Sequence, residues 1–424
     1  MNRKKSPAVI DVVPVIPSNP EKMMIQGKFP LYIFPDATTD IFKLEIVLDA
    51  GMSYDKQPLI PDFTGAMLAE GTPSMNAEQI SAAFDYYGAY YQQETGRDVA
   101  SIVVYAPVRH AIPVLDLMFE LFTRPTFPEV ELKQMVTLRK QQYKVERQKV
   151  KSLAAEAFME NLFGSQHPYG KVITEKDFDK PTVKQLQDFH DRLYHVGNMR
   201  MVLAGNIQQN MTKYIYDVFG SLPVKKGKAV RPVAKTEAKK NKTVYIPVKN
   251  AVQSAIRTGF PTINKTHPDY PLLQLVSTIL GGYFGSRLMK NVREDKGYSY
   301  GIGSATLSLK DTGYFMIVSE VGADVCKLAL QEIYKEVELL INEPVDEKEL
   351  STVKKYLAGE FIRMFDGALE TSSAWRAADD FGMDFSYFKK YMQAILKATP
   401  AQLQKIAGRY LQRENFHEIV AGKK

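Results

Sequence analysis

The sequence predicts an α+β fold of two homologous domains, each a mostly antiparallel sheet covered by helices, closed on one another like a clam around an internal surface. Three observations lead there. At 424 residues the chain exceeds the roughly 250 to 300 residues at which one hydrophobic core stops growing. A helix-and-strand unit occurs twice at an offset of 217 residues: Thr182 to Gly205 reads TVKQLQDFHDRLYHVGNMRMVLAG, and Thr399 to Gly422 reads TPAQLQKIAGRYLQRENFHEIVAG, with 8 of 24 positions identical and no gap. In each half, strand-like runs are followed by long helical stretches that cover one face of a sheet.

In the first half, Leu31 to Phe34 and Phe42 to Leu48 read as strands. Phe63 to Ala69 lies on a short helix, and Asn76 can cap a helix running through Ala83 toward Tyr86. Val99 to Tyr105 returns as a strand, Ile112 to Phe122 is helical, and Val130 to Leu162 is a long helix interrupted around Lys151 and Ser152. The first closing unit begins with a capping Thr182, ends its helix near Tyr194 and runs as a strand into Ala204-Gly205.

In the second half, Lys242 to Pro247, Ala255 to Phe260 and Gly313 to Ser319 are strands. Tyr270 to Leu280, Asp324 to Glu338 and Glu347 to Arg363 are helices, and the second closing unit follows from Thr399. The domains are placed at 20–222 and 240–422, joined by a basic linker over 223–239. Eight Lys or Arg between Lys225 and Lys242 face only Glu237, and Pro223, Gly227 and Pro232 break any regular element there.

Composition narrows the function. The formal charge of +7 is concentrated in that linker, where like charges are hydrated cheaply. No recognition helix, zinc finger or aromatic and basic platform accompanies them, so no nucleic-acid partner is expected. Hydrophobic residues at 45% and charged residues at 24% are ordinary for a globular protein, and no apolar run approaches the roughly 18 residues of a membrane span. The basic start Met1 to Lys5 is followed by a segment broken by Asp11 and Pro14, so no leader is assigned. Localisation stays open between the cytoplasm, for the chain as it stands, and the periplasm, if a leader has been removed. The single Cys326 excludes an intrachain disulfide and reads as a buried core thiol.

Four segments, AMLAEGT at Ala66 to Thr72, FGSQHPYG at Phe163 to Gly170, MVLAGNI at Met201 to Ile207 and LGGYFGSRLMKNVREDKGYSY at Leu280 to Tyr300, together resemble the M16 (pitrilysin, insulinase and mitochondrial processing peptidase) family. The resemblance spans nearly the whole chain. It implies an inverted zinc motif, H-x-x-E-H, just ahead of Met67. Its first histidine falls on Asp62, its glutamate on Gly65 and its second histidine on Ala66, and the family's third ligand maps near Lys140 to Tyr143. One carboxylate cannot replace two imidazoles and a general base, and Lys140 would oppose a metal's charge. No cofactor is therefore expected on this chain.

Other residues do not supply a metal centre. Glu146 reads as a surface acid paired with Lys149. His190 and His195 are five apart and do not share a helix face. His110 and His417 are scattered, while His167 and His267 precede prolines and read as turn residues.

The resemblance also implies that Arg293 and Tyr300, seven residues apart, assist substrate binding and transition-state stabilisation. Arginine offers a fixed fork to a peptide carbonyl or carboxylate, and a tyrosine hydroxyl can donate to developing negative charge. A subgroup of the family works as two different subunits, one with the metal motif and one with the arginine and tyrosine. The expectation is a non-catalytic subunit of a heterodimeric zinc peptidase. Its partner is a homologous subunit carrying the intact motif and the zinc, and its substrate an unfolded or short peptide. The alternative is a structural or peptide-binding assembly subunit with no part in proteolysis.

Overall fold

The computed structural model describes residues 15–225, 231, 239 and 241–423. The expectations for the amino-terminal start and for most of the basic linker lie outside the described residues.

Apolar alternation in the first half produces strands β1 (Glu21–Ile25), β2 (Phe29–Pro35), β3 (Ile41–Leu48), β4 (Tyr90–Thr95), β5 (Ala100–Pro107) and β6 (Met199–Gly205). They form one sheet in the order β1-β2-β6-β3-β5-β4, with only the β2–β6 pair parallel. The second half repeats the scheme with β7 (Thr243–Pro247), β8 (Gln253–Thr262), β9 (Ser299–Ser308), β10 (Gly313–Gly322) and β11 (His417–Gly422). Their order is β7-β11-β8-β10-β9, with only β7–β11 parallel. Both sheets are thus mostly antiparallel, and β2-β6-β3-β5-β4 matches β7-β11-β8-β10-β9 strand for strand.

The first half carries α1 (Leu59–Ala66), α2 (Ala77–Tyr86), α3 (Ala111–Thr123), α4 (Glu129–Glu146), α5 (Val150–Phe163), α6 (Val183–Leu193) and α7 (Gln209–Tyr214). The second carries α8 (Tyr270–Ser277), α9 (Cys326–Asn342), α10 (Glu347–Arg363), α11 (Gly367–Asp379), α12 (Phe385–Lys397) and α13 (Pro400–Tyr410). The long helix expected over Val130 to Leu162 is two helices, and the break falls at 147–149, just before the expected point.

The repeated unit is one structure used twice. Thr182 and Thr399 cap α6 and α13 through reciprocal boxes with Gln185 and Gln402. β6 and β11 take the same place in their sheets. Both end in glycine at positive φ, +98° at Gly205 and +134° at Gly422, and a Cβ at Gly205 would lie 2.4 Å from the Ile41 carbonyl oxygen. That contact explains why both copies close on Gly.

Each sheet buries one face against its own helices. Leu31, Ile33, Met201 and Leu203 point into the first core, and Ile256, Phe315, Ile317 and Val420 into the second, where Cys326 is buried as expected. The opposite faces are covered reciprocally. α5, from the first half, lays Ala154, Phe158 and Leu162 on Ala255, Ile419 and Ala421 of the second sheet. α11 and α12, from the second half, lay Trp375, Ala378 and Phe385 on Phe34, Val202 and Ala204 of the first.

Polar contacts reinforce this exchange. Arg200 on β6 pairs with Asp379 at 2.6 Å, and the buried Lys43 pairs with Glu45 at 3.1 Å and reaches Ser373 at 2.9 Å. Asp98 accepts from Tyr169 Oη at 2.7 Å and from the Lys310 backbone N–H at 3.1 Å. The linker was expected to be solvated throughout; Arg231 departs from that, because its guanidinium donates to Asp98 at 2.6 Å and also pairs with Asp311. Among the described residues no helix is long and apolar enough to cross a membrane.

Candidate functional site

Around residues 62–66, the positions the resemblance gives to a zinc motif, the contacts need no metal. α1 packs beside β4 and α6, and its Asp62 points toward α4, where it forms an ion pair with Arg139. The Arg139 guanidinium also covers the Phe63 ring at 5.0 Å. Burial raises the Asp62 carboxyl pKa, and Arg139 only partly opposes that shift. The pair joins α1 to α4.

Gly65, at the position of the general base, lies against β4: a Cβ there would be 2.6 Å from Thr95 Oγ1 and 3.4 Å from Gln93 Oε1. A longer side chain has no room unless Thr95 moves. Ala66, the last residue of α1, is buried.

The window of the third ligand is equally occupied. Lys140 pairs with Asp179 at 2.7 Å, Lys144 with Glu175 at 2.9 Å, and Tyr143 donates to the Ile173 carbonyl at 2.6 Å. Glu146 pairs with Lys149, as its spacing suggested. The donor set does not fit zinc, and among the described residues no group of three or more His, Cys, Asp or Glu could hold a metal ion.

Each histidine has a structural role or a local partner. His190 Nε2 bonds the Phe122 carbonyl at 2.9 Å, and burial pushes its pKa down to about 4. His195, His167 and His267 accept backbone N–H groups at 3.2, 3.1 and 3.1 Å, the last two in the turns expected of them. His417 contacts Asn161 across the two halves, and His110 accepts from Arg109 at 3.1 Å.

Arg293 and Tyr300 stand together in the second half. Arg293 lies on a π-helical turn, Met289–Asp295, and Tyr300 near the start of β9. Gly297, at φ +65°, turns the chain between them. The turn is anchored by Arg287, bidentate to Glu349 at 2.9 and 2.7 Å, and by Asn291, which donates to Glu336 at 2.7 Å.

Arg293 makes no ion pair with a described acid. Its guanidinium sits between the Phe284 ring at 4.8 Å and the Tyr300 ring at 5.6 Å. Tyr300 is 90% exposed, so its hydroxyl faces outward. The sequence reading identified this pair but missed Phe284, which lies in the same glycine-bearing bend, and Arg139, which is 77 residues from Asp62 and carries no local signal.

The chain is a two-lobed α+β clam with no metal-binding cluster among its described residues and an arginine–tyrosine pair in its second lobe. The family described as Peptidase M16 inactive domain matches residues 180–357. A crystal structure of a peptidase M16 inactive domain from Pseudomonas fluorescens superposes with a TM-score of 0.87 at 24% identity, over 96% of this chain and 99% of that one. The uncharacterized zinc protease YmxG of Bacillus subtilis is 26% identical over 308 residues, 72% of this chain and 73% of the relative. An uncharacterized zinc protease of Rickettsia felis is 24% identical over 363 residues, 83% and 84% of the two chains. The chain is thus similar to M16 peptidases in sequence and fold, and its described residues include no recognisable metal-binding cluster.

Proposed function

We propose that this chain is the non-catalytic subunit of a heterodimeric M16-type zinc peptidase, and that it supplies Arg293 and Tyr300 to peptide held at a homologous, metal-bearing partner. The observation that carries this reading is the state of the pair. An arginine with no acid to neutralise it is held between two rings beside an outward tyrosine hydroxyl. With no described carboxylate competing for it, the guanidinium fork stays available to a ligand.

In this role Arg293 donates to a peptide carbonyl or carboxylate and fixes the backbone. Tyr300 donates its O–H to the carbonyl oxygen as negative charge develops there. Repeat units at 20–222 and 240–422 supply the two walls of the clam. The partner's zinc supplies Lewis-acid and water-activating chemistry that Asp62, Gly65 and Ala66 cannot.

Co-purification tests the reading. The chain, isolated from its source under mild conditions, brings down a homologous subunit with an intact H-x-x-E-H motif. The pair cleaves peptides and carries zinc, while the dialysed chain alone does neither. Recovery of a functional chain with no such partner supports the assembly-subunit alternative, and chelator-sensitive cleavage by the chain alone refutes both.

A further inference from the structure

We propose that the groove between the start of α5 and the free edge of β9 binds the carboxylate of an extended peptide, with Arg257 as its counter-ion. The peptide class of ligand rests on the function proposed above; the carboxylate does not.

The groove follows from how the halves exchange helices. α5 packs over β11 and β8 and reaches Tyr314 and Met316 at the start of β10. The second half of β10 and the first residues of β9 are left bare on that face. There β9 presents no side chains: Gly303 sits opposite Val318, and a Cβ built on Gly301 would meet nothing within 4 Å. With Ala255 beside them, these glycines lower the floor of a cavity of ≈ 570 Å³, rimmed by Lys151, Arg257, Glu320 and Tyr300. Gly301 does not have the positive φ that would demand glycine, so the missing side chain serves the opening and not the backbone.

Arg257 is the partly buried cation of this cavity. Its side chain is half-buried and forms no hydrogen bond or ion pair with a described residue; Glu320 shares the groove but does not pair with it. Desolvation lowers the guanidinium pKa by more than the field of Glu320 restores, yet arginine stays charged at neutral pH. A partly dehydrated cation with no acceptor is unfavourable, and a carboxylate matches its fork geometry with two parallel hydrogen bonds.

Lys151 adds a second cation at the α5 end, and Arg293 lies beyond Tyr300 at the other. β9 ends its sheet among the described residues, so no further strand pairs with its outer edge. The Gly301 N–H and C=O are taken by the Ser299 and Ser319 hydroxyls, and an extended chain whose carboxylate reaches Arg257 would pair with the edge beyond them.

The test is fluorescence anisotropy of the full chain, without partner, against a labelled ten-residue peptide that is neutral except for its C-terminus. The same peptide is compared as the free acid, as the C-terminal amide, and as the amide with one internal Asp. The expected result is that the acid binds at least about tenfold more tightly than the amide. That preference disappears in Arg257→Gln, and Gly301→Val weakens every peptide by filling the floor. The Asp peptide assigns the source: affinity like the acid's admits side-chain carboxylates, and affinity like the amide's restricts the site to C-termini.

Equal binding of acid and amide, a preference that survives Arg257→Gln, or no binding by a folded chain overturns the proposal. Folding of each variant is checked by the fluorescence of Trp375, the single tryptophan. Because no partner is present, this outcome is independent of whether Arg293 and Tyr300 affect turnover in a reconstituted pair.

Discussion

At the scale of single residues, the position that the resemblance gives to a histidine ligand is held by an ion pair. Asp62 on α1 is paired with Arg139 on α4. Simple reversal does not restore the motif, because a side chain at position 65 meets Thr95 and position 140 is a lysine bound to Asp179. That Asp62, Gly65 and Ala66 lack two imidazoles and a general base was legible in the sequence. The replacement was not, because the Asp62–Arg139 contact joins residues on different helices.

Buried histidines make a separate residue-scale prediction. His190 and His417 have pKa values pushed down to about 4, chiefly by burial, against about 6.5 in an unfolded chain. Between those values the unfolded state binds more protons, so stability is lost as pH falls through the window, by up to about 1.4 kcal/mol per pH unit for each group. Urea unfolding at pH 7 and pH 5.5 measures it. His190→Gln, which keeps a donor for the Phe122 carbonyl, is expected to have a shallower pH dependence than the natural chain. An unchanged slope shows that His190 does not titrate as its burial implies.

At the scale of elements, the exchanged helices are the part least visible in sequence. α5 was read as the tail of one long helix; its face could be seen, but the sheet it covers belongs to residues 253–262 and 417–422 of the other half. The closing units were legible because capping threonines and terminal glycines are local signals. β4 and α11 with α12 were not read at all. β4 has the sequence YYQQET, and as an edge strand it has little apolar alternation to show. α11 carries small and polar residues along with the single Trp375.

The exchange makes a directional prediction. Phe158→Ala on α5 is expected to destabilise by about 3 to 5 kcal/mol. Hydrogen exchange in the variant should show the greatest loss of protection in β8 and β11, not in the first sheet nearest in sequence. Loss confined to the first sheet would mean that α5 belongs to its own half.

At the scale of the whole molecule, the two halves share their covering helices and a polar seam through Asp98, Lys310 and Arg231. They should therefore unfold together. Trp375 packs on Tyr32 with ring centroids 4.1 Å apart and so reports docking of the second half on the first sheet. Its fluorescence and far-ultraviolet circular dichroism should trace one denaturation curve with one midpoint. Two separated midpoints would mean that the lobes are independent.

Among its described residues this clam has no cluster fitted to zinc, and its second lobe carries Arg293 beside an exposed Tyr300. The measurement that tests the account most directly is turnover of the chain reconstituted with its metal-bearing partner, comparing the natural sequence with Arg293→Ala, Tyr300→Phe and Asp62→Ala after equal complex formation is verified. The account predicts losses of about 10²-fold or more for the first two, the scale of a lost oxyanion donor, and little change for Asp62→Ala. Normal turnover by both the Arg293 and Tyr300 variants would contradict it and leave the chain as an assembly subunit.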